Sequence, residues 1–281
     1  MVPALLGTVL AGVSLVAWMR APQASAGPCD VAMGPASLPD VSETSGLAVG
    51  RRQPVIWTHN DSGHATDLFA LDEAGREVGR VRVPVETRDF EDVSAGRCAA
   101  GDCLYVADIG DNARRRPRVV LHRLPEPGAG TTHTAALETF VLTYPDGPHN
   151  AEGLFVLGEE AFLVTKDRRG TVYRTGPLPA GGGAITMQRV GDLGLEVVTD
   201  AEASTDGRTV IVRTPDVATL HRAADVVAGR LAPYLTIPLL GLREPQGEGV
   251  AMRGDAIYLS SEGRIGGDGR LLRLRCRLPA P

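Results

Sequence analysis

The chain has 281 residues, 43% of them hydrophobic, enough to bury one large core without help from metals or disulfides. A net charge of −5 argues against a nucleic-acid partner, which needs a basic face. Gly 34 and Pro 20 suit many short strands and turns, and there is no Walker loop, HExxH or GxSxG motif.

Residues 2–19 carry no charge and are broadly apolar, and Ala24-Ser25-Ala26 then suits a cleavage site. This predicts a signal peptide over 1–26 and one domain over 27–281, secreted or periplasmic. The first residues lack Lys and Arg, and the nearest charge is Arg20. An uncleaved anchor, holding the domain on the outer side of a membrane, therefore stands as the alternative. Four cysteines behind such a leader read as two disulfides. Cys98 and Cys103 flank a tight Ala-Ala-Gly-Asp turn and pair locally, which leaves Cys29 for Cys276.

Further along, a short motif recurs: Ser45-Gly46-Leu47, Glu91-Asp92-Val93, Glu152-Gly153-Leu154, Glu202-Ala203-Ser204 and Glu248-Gly249-Val250. The intervals are 46, 61, 50 and 46 residues, each the length of a four-stranded propeller blade. Within each unit a second apolar run follows (55–58, 104–107, 161–164, 210–212, 256–259). A third comes after it (67–71, 119–123, 171–174, 219–222, 271–274). Residues 220–227 also read as a helical turn. The expected fold is all-β, a single β-propeller of five blades, or six if one unit is miscounted. The fifth unit lacks a fourth strand, and residues 29–40 have no unit of their own. The N-terminal segment is therefore expected to form the outer strand of the last blade and close the ring, with Cys29–Cys276 pinning the seam.

Five-fold geometry brings the loops before first strands and after second strands to one face. That places Ser45, Glu91, Glu152, Glu202 and Glu248 around the axis as candidate ligands of a hard cation, Ca²⁺ above all. Converging carboxylates need protons, basic partners or a metal. Lys166 and Arg213 are the rival counter-charges, which would make the ring a set of salt bridges instead. Asn60, Asn112, Lys166, Arg213 and Glu262 are the candidates for holding a ligand on this face. His59, Asp61 and Asp108 are the candidates for acid–base chemistry, although His59-Asn60-Asp61-Ser62-Gly63 also reads as a simple turn. The expected partner is a small molecule or glycan at the loop face. No nucleic acid is expected, a membrane only if the leader is retained, and the protein is expected to be a monomer.

These motifs resemble those of the calcium-activated nucleotidase (apyrase) family, secreted five-bladed propellers with a central Ca²⁺. Glu43-Thr44-Ser45, Glu91, Glu152 and Glu248 stand at the matching places, while Glu202 departs from a Ser in the fourth blade. They are also similar to phytase-like and SdiA-regulated propellers. The resemblance implies a central Ca²⁺ and hydrolysis of a phosphorylated substrate. The competing reading is a non-catalytic propeller that binds a sugar or protein.

Overall fold

The computed structural model describes residues 25–281 apart from 129, 134–136, 265 and 266. Residues 1–24, most of the expected leader, lie outside the described residues. Among the described residues no helix is long and apolar enough to cross a membrane.

Two N-terminal strands, β1 (Ser25–Ala26) and β2 (Cys29–Leu38), precede the first blade. Blade one contains β3 (Thr44–Val49), β4 (Ile56–Asn60), β5 (Asp67–Leu71) and β6 (Glu77–Arg82). Blade two contains β7 (Phe90–Cys98), β8 (Gly101–Asp108), β9 (Val119–Pro125) and β10 (Glu138–Thr143). Blade three has β11 (Ala151–Leu157), β12 (Glu160–Thr165) and β13 (Thr171–Pro177), then β14 (Gly183–Thr186) and β15 (Gln188–Asp192). Blade four has β16 (Asp200–Ala203), β17 (Thr209–Arg213), β18 (Val217–Arg222), the short helix α1 (Ala223–Val227) and β19 (Leu235–Pro238). Blade five has β20 (Gln246–Arg253), β21 (Ala256–Glu262) and β22 (Gly269–Cys276).

The strands form five sheets, giving a five-bladed β-propeller. Inner strands β3, β7, β11, β16 and β20 each touch their neighbours around the ring. Each blade is an antiparallel meander running outward. The exception is β14, which crosses over and pairs in parallel with β10 as a fifth strand of blade two. Residues 217–227 resolve into strand and helix, β18 followed by α1.

Alternation explains the core. Successive strand residues point to opposite faces, and each blade is covered on both sides by its neighbours. The apolar residues therefore divide into five clusters, one in each gap between blades. Trp57 and Leu68 of blade one, for example, pack with Val93 and Leu104 of blade two.

The ring closes as expected. β2 runs antiparallel to β22 as an outer strand of blade five, with Cys29 directly opposite Cys276. The two are disulfide-bonded across 247 residues of sequence, and Cys98–Cys103 forms the local bridge at the β7–β8 turn. Two disulfides fit an oxidising compartment.

Candidate functional site

Four of the five inner strands carry a register irregularity where they enter the channel. On β3 it lies between Thr44 and Leu47, on β7 between Phe90 and Asp92, on β11 between Ala151 and Gly153, and on β20 between Gly247 and Val250. A bulge re-aims a side chain, and the residues skipped by the pairing include Ser45, Glu91, Glu152 and Glu248. β16 pairs without a shift, and Thr199 stands just before it.

Hydrogen bonds fix the equivalence of these positions. Ser45 Oγ donates to the Glu91 carbonyl at 2.6 Å, and Thr199 Oγ1 donates to the Glu248 carbonyl at 2.8 Å. The ring is therefore Ser45, Glu91, Glu152, Thr199 and Glu248. Glu202 lies three residues deeper and does not belong to it. Its carboxylate, fully buried, accepts from Ser94 Oγ and from the Ala95 N–H at 3.1 Å.

The next position reads Gly46, Asp92, Gly153, Asp200 and Gly249, and the glycines stand where a side chain would collide with the neighbouring inner strand. A Cβ on Gly46 would lie 2.0 Å from Asp92 Oδ1, and one on Gly249 would lie 2.4 Å from the Ser45 carbonyl oxygen. Asp92 and Asp200 plug the channel. Asp92 accepts from the Val93 N–H at 2.6 Å and the Leu154 N–H at 2.5 Å. Asp200 Oδ2 accepts from the Leu47 N–H at 3.2 Å and the Val250 N–H at 2.5 Å. Asp200 Oδ1 has no hydrogen-bond partner among the described residues, and the Asp200 charge opposes ionisation of Asp92. Burial pushes both groups up, Asp200 to about 7.

The mouth above is wetter and divided. On one side Lys166 pairs with Glu152, and its field also reaches Glu248. Glu248 accepts from Gln246 Nε2 at 2.9 Å. Burial still raises Glu152, to about 7, against the pull of Lys166. On the other side Asp61, Asp89 and Glu91 bring carboxylate oxygens within 4.8 Å of one another. Burial and then mutual repulsion raise the Glu91 carboxyl well above its ordinary range. Burial likewise raises Asp61 and Asp89. Gly110 lets them gather, since a Cβ there would fall 2.1 Å from Glu91 Oε1 and 2.5 Å from Asp89 Oδ2. Asp89, two residues ahead of a ring glutamate, was not among the sequence candidates. The alternation that turns Phe90 into the core sends Asp89 and Glu91 to the same side.

Several other sequence candidates serve the frame. His59 is fully buried, stacked on Phe90 at 3.7 Å, and bonded through Nδ1 to the Asn60 carbonyl. Burial lowers its pKa to about 4, so it is a neutral core residue. Asn60 accepts from the Glu43 N–H and donates to the Asp40 carbonyl, which ties the turn down. Asp108 pairs with Arg116 at 2.8 Å and accepts from the Asp89 N–H at 3.0 Å, so it positions the cluster from behind. Arg213 has no exposed surface and is spent on Glu244 (2.6 Å) and the Gly249 and Ser260 carbonyls. It cannot hold a ligand at the mouth. Asn112 remains exposed, accepting from Asn150 Nδ2 at 3.3 Å. Glu262 is half-buried beside a hollow of about 670 Å³, with Glu43 and Gln246 on the same wall. Burial and then neighbouring carboxylates push it up to about 7. A second hollow of about 420 Å³ lies between Lys166, Thr199 and Glu248.

The molecule is thus a disulfide-closed five-bladed propeller with an acidic mouth. No family model and no curated protein matches the sequence. Among solved structures it is similar to a luciferin-regenerating enzyme (10% identity, 87% of this chain and 96% of that one, TM-score 0.45). It is also similar to a gluconolactonase from Xanthomonas campestris (10%, 91% and 99%, 0.48). Nidogen from a complex with laminin is a third (12%, 78% and 72%, 0.46). Likeness this slight carries nothing about chemistry or ligand.

Proposed function

We propose that this chain is an exported monomer that holds Ca²⁺ at the channel mouth and hydrolyses a phosphoester or other ester there. The observation that supports it is the cluster Asp61, Asp89 and Glu91, which no basic side chain bonds directly. Three hard oxygen donors in reach of one point, with a glycine opposite, suit Ca²⁺. The bound ion would polarise a substrate oxygen and lower the pKa of water. Around it, Lys166 offsets part of the repulsion that Glu152 adds to Glu91, and Asp108 with Arg116 fixes the backbone of Asp89. Glu262 and Asn112 are the polar groups left to meet a ligand.

A second reading is binding without turnover of a small molecule or glycan. It is favoured by the commitment of Lys166 and Arg213 to carboxylates, which takes both of those sequence candidates away from a phosphate subsite. Metal content of the purified protein comes first, then a panel of nucleotides, phytate, aryl esters and lactones with Ca²⁺ and with chelator. Bound Ca²⁺ and chelator-sensitive turnover are expected. Bound Ca²⁺ with no turnover selects the second reading, and no bound metal with indifferent melting removes the Ca²⁺ site.

A further inference from the structure

At the end of the channel opposite the acidic mouth, one hollow is rich in arginine. Four turns meet there: β3–β4 with Arg51 and Arg52, β7–β8 with Arg97, β16–β17 with Thr205, and β20–β21 with Arg253. They line a hollow of about 330 Å³, in which four guanidinium groups face one carboxylate, Asp102. That carboxylate is shared. Arg51 Nε lies 3.3 Å and Arg97 Nε 3.4 Å from the same Asp102 Oδ1. Arg253 reaches Glu73 only at 3.7 Å, and Arg273 already holds Glu73 at 2.7 Å. The Arg52 guanidinium pairs with no carboxylate among the described residues.

The turn that carries two of these arginines is built in place. Buried Glu126 accepts from the backbone N–H groups of both Arg51 and Arg52 at 2.9 Å. Its other oxygen takes the Trp57 indole N–H at 3.4 Å. A fixed turn holds the positive groups together, and the lining carboxylate, Asp102, is shared between two of them. Guanidinium forks match tetrahedral oxyanions in geometry and charge.

We propose that this hollow binds a small oxyanion, the phosphate or sulfate group of an organic ligand, independently of any chemistry at the mouth. The test is titration of the exported protein, dialysed free of divalent cations, with inorganic phosphate, sulfate, glucose 6-phosphate and glucose 6-sulfate. Chloride at matched ionic strength is the reference, and melting temperature and calorimetry are the readouts. An oxyanion is expected to raise the melting temperature beyond chloride. The double variant Arg52→Ala, Arg97→Ala should raise the half-saturating concentration about tenfold or more, through loss of charge-assisted bonds. Both side chains are exposed, so the fold should survive. Arg230→Ala, which removes an exposed partner of Asp225, should bind as the wild type does. The tightest arm separates a phosphorylated from a sulfated ligand. A wild-type shift no larger than that of chloride, or an equal shift in the double variant, overturns the proposal.

Discussion

The mouth and the middle of the channel are both acidic, yet they manage their charge in opposite ways. In the middle, Asp92, Asp200 and Glu202 are dry, and backbone N–H groups and the Ser94 hydroxyl bond them from within. At the mouth, Asp61 and Asp89 are partly wet, Asp61 takes the Ser62 N–H, and the buried Glu91 carboxyl accepts no hydrogen bond among the described residues. A buried carboxyl with its donors in place is architecture. Carboxylates gathered with few donors hold free energy that a cation would release. Even the mouth is uneven, because Lys166 already neutralises the side that Glu152 and Glu248 occupy.

The largest expected effect tests the dry side. The Asp200 carboxyl is raised from its ordinary 3.8 to about 7 by burial. The native state therefore binds more protons than the unfolded chain between those values, and stability falls as pH rises across that window. The full swing for one group is on the order of 4 kcal/mol, reduced by its coupling to Asp92. Asp200→Asn should flatten chemical-denaturation stability between pH 4 and 7. A variant as pH-dependent as the wild type would mean that the pair does not hold its proton in the folded state.

Next in size is the response of the wet side to metal. Ca²⁺ at a hundredfold excess over its dissociation constant should stabilise the wild type by about 2.7 kcal/mol. Asp89→Asn should lose most of that gain in thermal melts, and Asp200→Asn should keep it. Coincident wild-type melts with Ca²⁺ and with chelator would erase the contrast between the two regions.

Lys166→Met probes the unevenness of the mouth. It strands Glu152 and should cost about 1–2 kcal/mol at neutral pH, less than a fully buried pair because Lys166 is 27% exposed. Raising Ca²⁺ should restore part of the loss if the stranded carboxylates then join the cation. A loss unchanged by Ca²⁺ would confine the metal to Asp61, Asp89 and Glu91.

The blades, the ring closure and both disulfides were legible in the sequence because short strands and turns repeat at blade spacing. The motif Glu-Gly-apolar was legible at Glu152 and Glu248 for a steric reason, since a Cβ on Gly153 would crowd Ala201 and one on Gly249 would meet the Ser45 carbonyl of the next blade. The fourth blade misled for the same reason. An Asp replaces the Gly there, so the frame is Thr199-Asp200-Ala201, matching Glu91-Asp92-Val93, and Glu202-Ala203-Ser204 is a chance echo. In that frame the intervals become 47 and 49 in place of 50 and 46, more nearly equal to each other. The burial of His59 against Phe90 and the seclusion of Arg213 follow from contacts between blades, which local pattern does not report.

The smallest expected effect is a change of sign. The Glu91 carboxyl accepts no hydrogen bond from any side chain or N–H among the described residues, so an amide in its place breaks none. Its ionised form is opposed first by burial and then by Glu152, Asp61 and Asp89. In chelator at pH 8, Glu91→Gln should therefore leave stability unchanged or raise it by up to about 1 kcal/mol, the scale of one pKa unit. With saturating Ca²⁺ the same variant should be less stable than the wild type, because it has lost a charged ligand. Parallel melts of the two proteins in the two conditions should cross. Glu91→Gln that is destabilised equally in both would assign Glu91 to the frame, with the dry carboxyls beneath it, and leave the mouth without its ligand set.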